Sequence, residues 1–219
     1  MSEIFSFPFN RLLRRKVARE AAILLYTSQE KEYKQAKERA ANILGTSVLP
    51  TNREIAEELD RIADEREGLQ RHDRLVRMRR EALELMEALE TFYPKLVGSV
   101  WRGTPYINSD IDITVFSSDV NQIFNRLQMK GFTISKVEFV TATRQGEKIS
   151  SFHITVIFPS GDEAEIVVKD PEALHHEETC AIYGDRIKGL SIPELKKVLE
   201  KDPLQRFIPK KNFLVFSLI

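Results

Sequence analysis

Leu13, Val17, Ala21, Leu24 and Leu25 fall on one helical face within residues 10–44, a stretch that holds no proline or glycine. Gly45 then offers the left-handed residue that ends such a run. The pattern fits one long helix, or two with a break near residues 26–28 if Thr27 and Glu30 form a capping box. After Pro50, Thr51 and Glu54 make a second capping box, and Ile55, Leu59 and Ile62 mark an apolar helical stripe behind it. Residues 64–74 are almost wholly charged or polar and include Gly68, which suits a turn or a weak helix. Leu75, Ala82, Met86 and Leu89 resume the 3.6-residue period until Pro94 stops it.

Beyond Pro94 the period shortens. KLVGSV, DIDITVF, TISKVEFVTA, FHITVIF and AEIVV are short β-rich runs, while Val120–Met129 returns to a helical pattern with Ile123, Phe124 and Leu127 on one face. Near the end, Ser191 precedes a proline and Glu194 in the order that opens a helix. The change of period predicts an α+β protein: a helical region over residues 1–92, a mixed β-sheet flanked by helices over 93–170, and a C-terminal helical extension over 171–219.

Composition narrows the function. Hydrophobic residues are 42% and charged residues 30%, enough apolar side chains for a core. Lys plus Arg and Asp plus Glu are both 33, so no net charge steers the molecule toward nucleic acid or an anionic membrane, and any basic surface has to be local. The single cysteine, Cys180, cannot close an internal bridge, and with four histidines it cannot build a Cys-rich zinc site. The opening residues place their charges after their apolar positions, the reverse of a secretory signal, and no apolar run approaches the roughly 20 residues of a membrane span. A cytoplasmic protein without a membrane partner is expected.

The chemistry concentrates in VGSVWRGTPYINSDIDITVF, residues 97–116. Gly98 and Ser99 follow an apolar strand where the backbone can approach a ligand closely, and a helical turn after them presents N–H groups to a phosphate. Asp110 and Asp112 alternate in a strand, so both carboxylates leave the same face and can share divalent cations, with magnesium or manganese suited to such oxygen donors. A third acid is expected from a neighbouring strand. In GDEAEIVVKD, Glu165 stands between Ala164 and Ile166 and is preferred, with Glu163 on the same face as the second choice.

Gly98-Ser99, ten residues, then Asp110-x-Asp112, with Arg102-Gly103 between, resembles the DNA polymerase beta-like nucleotidyltransferase superfamily. The form GSVWRGT is also similar to archaeal CCA-adding enzymes and to small stand-alone archaeal nucleotidyltransferases. The resemblance covers residues 90–170. It implies transfer of a nucleoside monophosphate from a triphosphate, ATP among them, to a hydroxyl acceptor. It also implies Asp110 and Asp112 on magnesium, Glu165 as third acid, and Gly98 and Ser99 at the triphosphate, with Arg102 and Gly103 beside them. Arg102 either binds phosphate, caps a helix or pairs with a nearby acid.

Two basic clusters, residues 11–19 and Arg71, Arg74, Arg77, Arg79 and Arg80, either track an RNA backbone or form solvated helix faces. His175 and His176 point in different directions on any helix and make a poor metal site. Two rivals remain. One is a catalytically silent nucleotide- or RNA-binding regulatory module, antitoxin-like. The other is an interaction protein whose N-terminal helices expose an apolar stripe, to a second subunit for example.

Overall fold

The computed structural model describes residues 6–144 and 147–210, with side chains over 10–141 and 150–210. The first of the opening residues and the end of the C-terminal extension lie outside the described residues. Four helices come first: α1 (Ser6–Tyr26), α2 (Tyr33–Ile43), α3 (Asn52–Glu67) and α4 (Leu69–Ala88). The long proline-free stretch is therefore two helices, parted where Ser28 takes a positive φ of 55°. The expected capping box at that break does not form, because the Thr27 hydroxyl donates back to the Ile23 carbonyl at 2.8 Å. The Thr51–Glu54 box does form and opens α3. Residues 64–74 are the end of one helix and the start of the next, hinged on Gly68 at φ 53°.

After a short 3₁₀ turn come β1 (Lys95–Val97), α5 (Gly98–Arg102), β2 (Ile111–Phe116), α6 (Val120–Met129), β3 (Thr133–Arg144), β4 (Glu147–Ile157) and β5 (Glu163–Lys169). A second 3₁₀ turn, Pro171–His175, precedes α7 (Ile192–Lys201), which Ser191 and Glu194 cap reciprocally. KLVGSV is thus a three-residue strand followed at once by a helix, because Gly98 at φ 68° turns the chain where a strand would continue. The sheet order is β1-β2-β5-β4-β3, with β2 and β5 parallel and the other pairs antiparallel. This is the mixed sheet flanked by helices that the change of period predicts.

Alternation gives the sheet two faces. Ile111, Ile113, Val115, Ile154, Val156, Ala164, Ile166 and Val168 are buried in one apolar cluster with Leu85 and Met86 of α4, Leu89 just after it, Ile123 and Leu127 of α6 and Leu195 of α7. A second cluster joins α1, α2 and α3 through Val17, Ala21, Leu24, Leu25, Ala36, Ala40, Ile55, Leu59 and Ile62. The apolar stripe that the interaction-protein reading required to be exposed is therefore covered within the chain. Among the described residues, no helix is long and apolar enough to cross a membrane.

Arg79 ties the layers together. Fully buried, it donates to the carbonyls of Val100 and Trp101 in α5 and to those of Pro203 and Gln205, at 2.7–3.2 Å. Burial pushes its guanidinium down to about 10, still far above neutral pH, so the charge persists and the four carbonyls carry it.

Candidate active site

The face of the sheet opposite the helices carries the polar residues. One register row runs across all five strands: Val97, Asp112, Glu165, Thr155 and Lys136. The next row holds Thr114, Val167, His153 and Glu138. Asp112 and Glu165 are thus direct partners on parallel strands, and Asp110 stands one residue before β2 on the same face as Asp112. Glu163 lies two residues upstream of Glu165, exposed, whereas Glu165 is half-buried.

Gly98 seats Asp112. A Cβ at this glycine would overlap the Asp112 carboxylate, standing 2.6 Å from its Cγ, and the positive φ excludes most side chains in any case. Absence of a side chain is what lets the start of α5 close over the acid. Ser99 follows, half-buried, with its carbonyl accepting from the Thr104 amide at 2.9 Å.

These acids crowd one another. Burial, then the charges of Asp110 and Glu165, push the Asp112 carboxyl up to about 8. Asp110 keeps contact with solvent, but the protein packed around it raises its carboxyl, and Glu165 and Glu163 raise it further. Tyr106, in the loop leading to Asp110, is raised by burial and by that same aspartate. Like charges gathered without a counter-charge mark a place where a cation would be stabilised.

Among the described residues, no three metal-ligating side chains converge closely enough to hold an ion as they stand. The donor chemistry nevertheless fits magnesium or manganese, since the acids supply only oxygen and share one sheet face. Glu165 already has a partner: its Oε1 lies 3.0 Å from His153 Nδ1, and His153 Nε2 lies 3.0 Å from Ser151 Oγ. His153, Ser151, Thr155 and Lys136 are absent from the residues selected on sequence. The alternation of Ser151, His153 and Thr155 against buried Ile154 and Val156 is the signal that places them on the open face.

Arg102 and Gly103, expected beside the triphosphate, engage other parts of the chain. Arg102 is 5% exposed, pairs with both Asp185 oxygens at 2.7 and 2.8 Å, donates to the Phe207 carbonyl at 2.7 Å, and stacks on Trp101 and Tyr183, as its acid-pairing alternative has it. Gly103 packs against the C-terminal segment. A Cβ there would stand 2.9 Å from the Gln205 carbonyl, so its bareness admits the C-terminal segment.

The second basic cluster is likewise spent internally. Arg71 binds Asp60, Asp64 and the Pro105 carbonyl; Arg74 binds Glu67; Arg77 binds Asp162; Arg79 is the buried strut. Only Arg80 of the five is both exposed and outside these pairings among the described residues. In α1, by contrast, Arg11, Arg14 and Lys16 face solvent. A cavity of about 300 Å³ lies elsewhere, between α6 and β3, lined by Phe124, Phe132, Ile134 and Val137.

The chain matches no protein-family model and no curated protein. Among solved structures it is similar to the Cid1 poly(U) polymerase in complex with the UTP analog UMPNPP, at 22% identity and a TM-score of 0.33, over 47% of this chain and 33% of that one. It is also similar to the GLD-2/RNP-8 complex, at 17% identity and a TM-score of 0.32, over 48% of this chain and 38% of that one. The match thus spans less than two fifths of either neighbour.

Proposed function

We propose that the protein is a nucleotidyltransferase that moves a nucleoside monophosphate from a nucleoside triphosphate to a hydroxyl acceptor, an RNA or a protein. One observation carries this reading: Asp112 and Glu165 are register partners on parallel strands, with Asp110 on the same face and Gly98 pressed against Asp112. Asp110, Asp112 and Glu165 would hold the divalent cations, magnesium or manganese, which would supply neutralisation of the charge that develops on the reacting oxygens.

Gly98 and Ser99 place the triphosphate from the start of α5, so that the α-phosphate meets the acceptor oxygen along the attack line. The acceptor loses its proton, its oxygen bonds to the α-phosphorus, and pyrophosphate departs. Where the acceptor is RNA, the exposed Arg11, Arg14 and Lys16 of α1 are better placed to meet its phosphates than the tied Arg71, Arg74, Arg77 and Arg79 of α4.

The silent nucleotide-binding reading draws on the lack of convergence among the acids. Incubating the protein with each labelled triphosphate, magnesium or manganese, and total RNA or protein extract separates the two. Metal-dependent transfer of label, lost in Asp112→Asn, is expected. Metal-dependent triphosphate binding with no transfer to any acceptor would favour the silent module.

A further inference from the structure

Glu165 faces two like charges. A glutamate on a half-open strand has three rotatable bonds, and repulsion from Asp110 and Asp112 favours any conformer that carries its carboxylate away from them. Something has to hold it, and the donor that reaches it is on the neighbouring strand. His153 sits on β4 one row along from Glu165's own register partner, Thr155, and crosses diagonally to place Nδ1 3.0 Å from Glu165 Oε1. Its direct partner on β5, Val167, offers no polar side-chain atom.

The chain of hydrogen bonds has a direction. An ionised carboxylate only accepts, so Nδ1 carries the hydrogen. In the neutral ring Nε2 is then the acceptor, and the group beside it at 3.0 Å is the Ser151 hydroxyl, which can donate. Ser151 and His153 alternate on β4 and so share the open face with Glu165. The carboxylate thus selects the imidazole tautomer, Ser151 holds the ring angle, and the ring fixes one carboxylate oxygen while leaving the other without a donor among the described residues.

We infer that His153, backed by Ser151, is a positioning residue that holds the Glu165 carboxylate beside Asp112 for the cation and triphosphate. The inference rests on the proposed role of Glu165. A plain cross-strand pair would have the same contacts, but it would change only the stability of the sheet. A positioning residue changes what the site binds.

The test uses the full chain and measures manganese affinity calorimetrically in the presence of a non-hydrolysable triphosphate, alongside thermal stability. His153→Ala is expected to weaken manganese binding by about 10-fold, as loss of a residue that orients a metal ligand commonly does. His153→Asn, whose amide N–H can stand where Nδ1–H stood, should recover most of that loss, and Ser151→Ala should show a smaller loss in the same direction. Because His153 acts through Glu165, the double variant His153→Ala/Glu165→Gln should bind no more weakly than Glu165→Gln alone. Wild-type affinity in His153→Ala, with Glu165→Gln impaired, overturns the inference and leaves the role of Glu165 standing. Wild-type affinity in Glu165→Gln overturns that role and the inference with it. Should His153→Ala not fold, His153→Asn and Ser151→Ala decide: wild-type affinity in Ser151→Ala overturns the inference.

Discussion

At the junction of α3 and α4, Arg71 is wrapped by Asp60, Asp64 and the Pro105 carbonyl, and Arg74 is matched to Glu67. On the open face of the sheet, Asp110, Asp112 and Glu165 gather with only one cationic candidate, His153, in contact with any of them among the described residues. Both regions are dense in charge. In the first, Arg71 and Arg74 each have an opposite charge and the result is a joint between helices; in the second, like charges are pressed together and no Lys or Arg among the described residues pairs with them. Folding tends to neutralise charge it buries, because an unpaired buried charge is costly. A cluster left unneutralised is therefore a better guide to function than a cluster that is merely charged.

The largest test of this contrast lies with Arg102, which is paired with Asp185 as the arginines of the first region are paired with their acids. Arg102→Met should lower unfolding stability by about 3 kcal/mol, since it strands the partly buried Asp185 and the Phe207 carbonyl. Triphosphate affinity of the folded protein should not change. Chemical denaturation and calorimetric binding measure the two effects separately, and a loss of affinity without a loss of stability would return Arg102 to the site.

Next in size is a pH effect. The Asp112 carboxyl moves from 3.8 to about 8 on folding, so between those values the folded chain keeps a proton that the unfolded chain has lost. Metal-free stability should fall as pH rises through this window and level off above about 8. Asp112→Asn removes the effect. The variant should match the wild type near pH 4 and exceed it in stability near pH 8. Thermal melts across pH check this, and a wild type that gains stability over the window would contradict it.

The smallest effect belongs to Arg77, paired with Asp162 on the surface at 2.8 and 3.0 Å. Arg77→Ala should cost less than about 1 kcal/mol. It should leave both triphosphate affinity and the salt dependence of RNA binding as they were. A flatter salt dependence, read by fluorescence anisotropy with labelled RNA, would show that the basic face of α4 touches the acceptor after all.

Much of this was legible in the residues alone. Period and capping located α3, α6 and α7 because those signals are local: Thr51 with Glu54 and Ser191 with Glu194 need only three residues of spacing. The alternation of Asp110 and Asp112 put both acids on one face for the same reason. What the sequence could not convey was pairing between distant residues. Nothing near Arg102 in the chain announces Asp185, and nothing near Arg77 announces Asp162. Glu165 as the register partner of Asp112 depends on a parallel pairing of strands some fifty residues apart, which composition and period leave open. His153 went unread because a lone histidine in a strand looks ordinary until Glu165 is placed beside it.

Manganese titration in the presence of a non-hydrolysable triphosphate tests most directly whether the open-face acids are a cation site. Wild-type protein should bind manganese. Asp112→Asn should lose that binding while keeping its fold, and so should Gly98→Ala, whose added methyl overlaps the Asp112 carboxylate without touching any acid's charge. Manganese binding that survives intact in both variants would contradict the account, for it would mean that the crowded acids on the sheet are not where the cation sits.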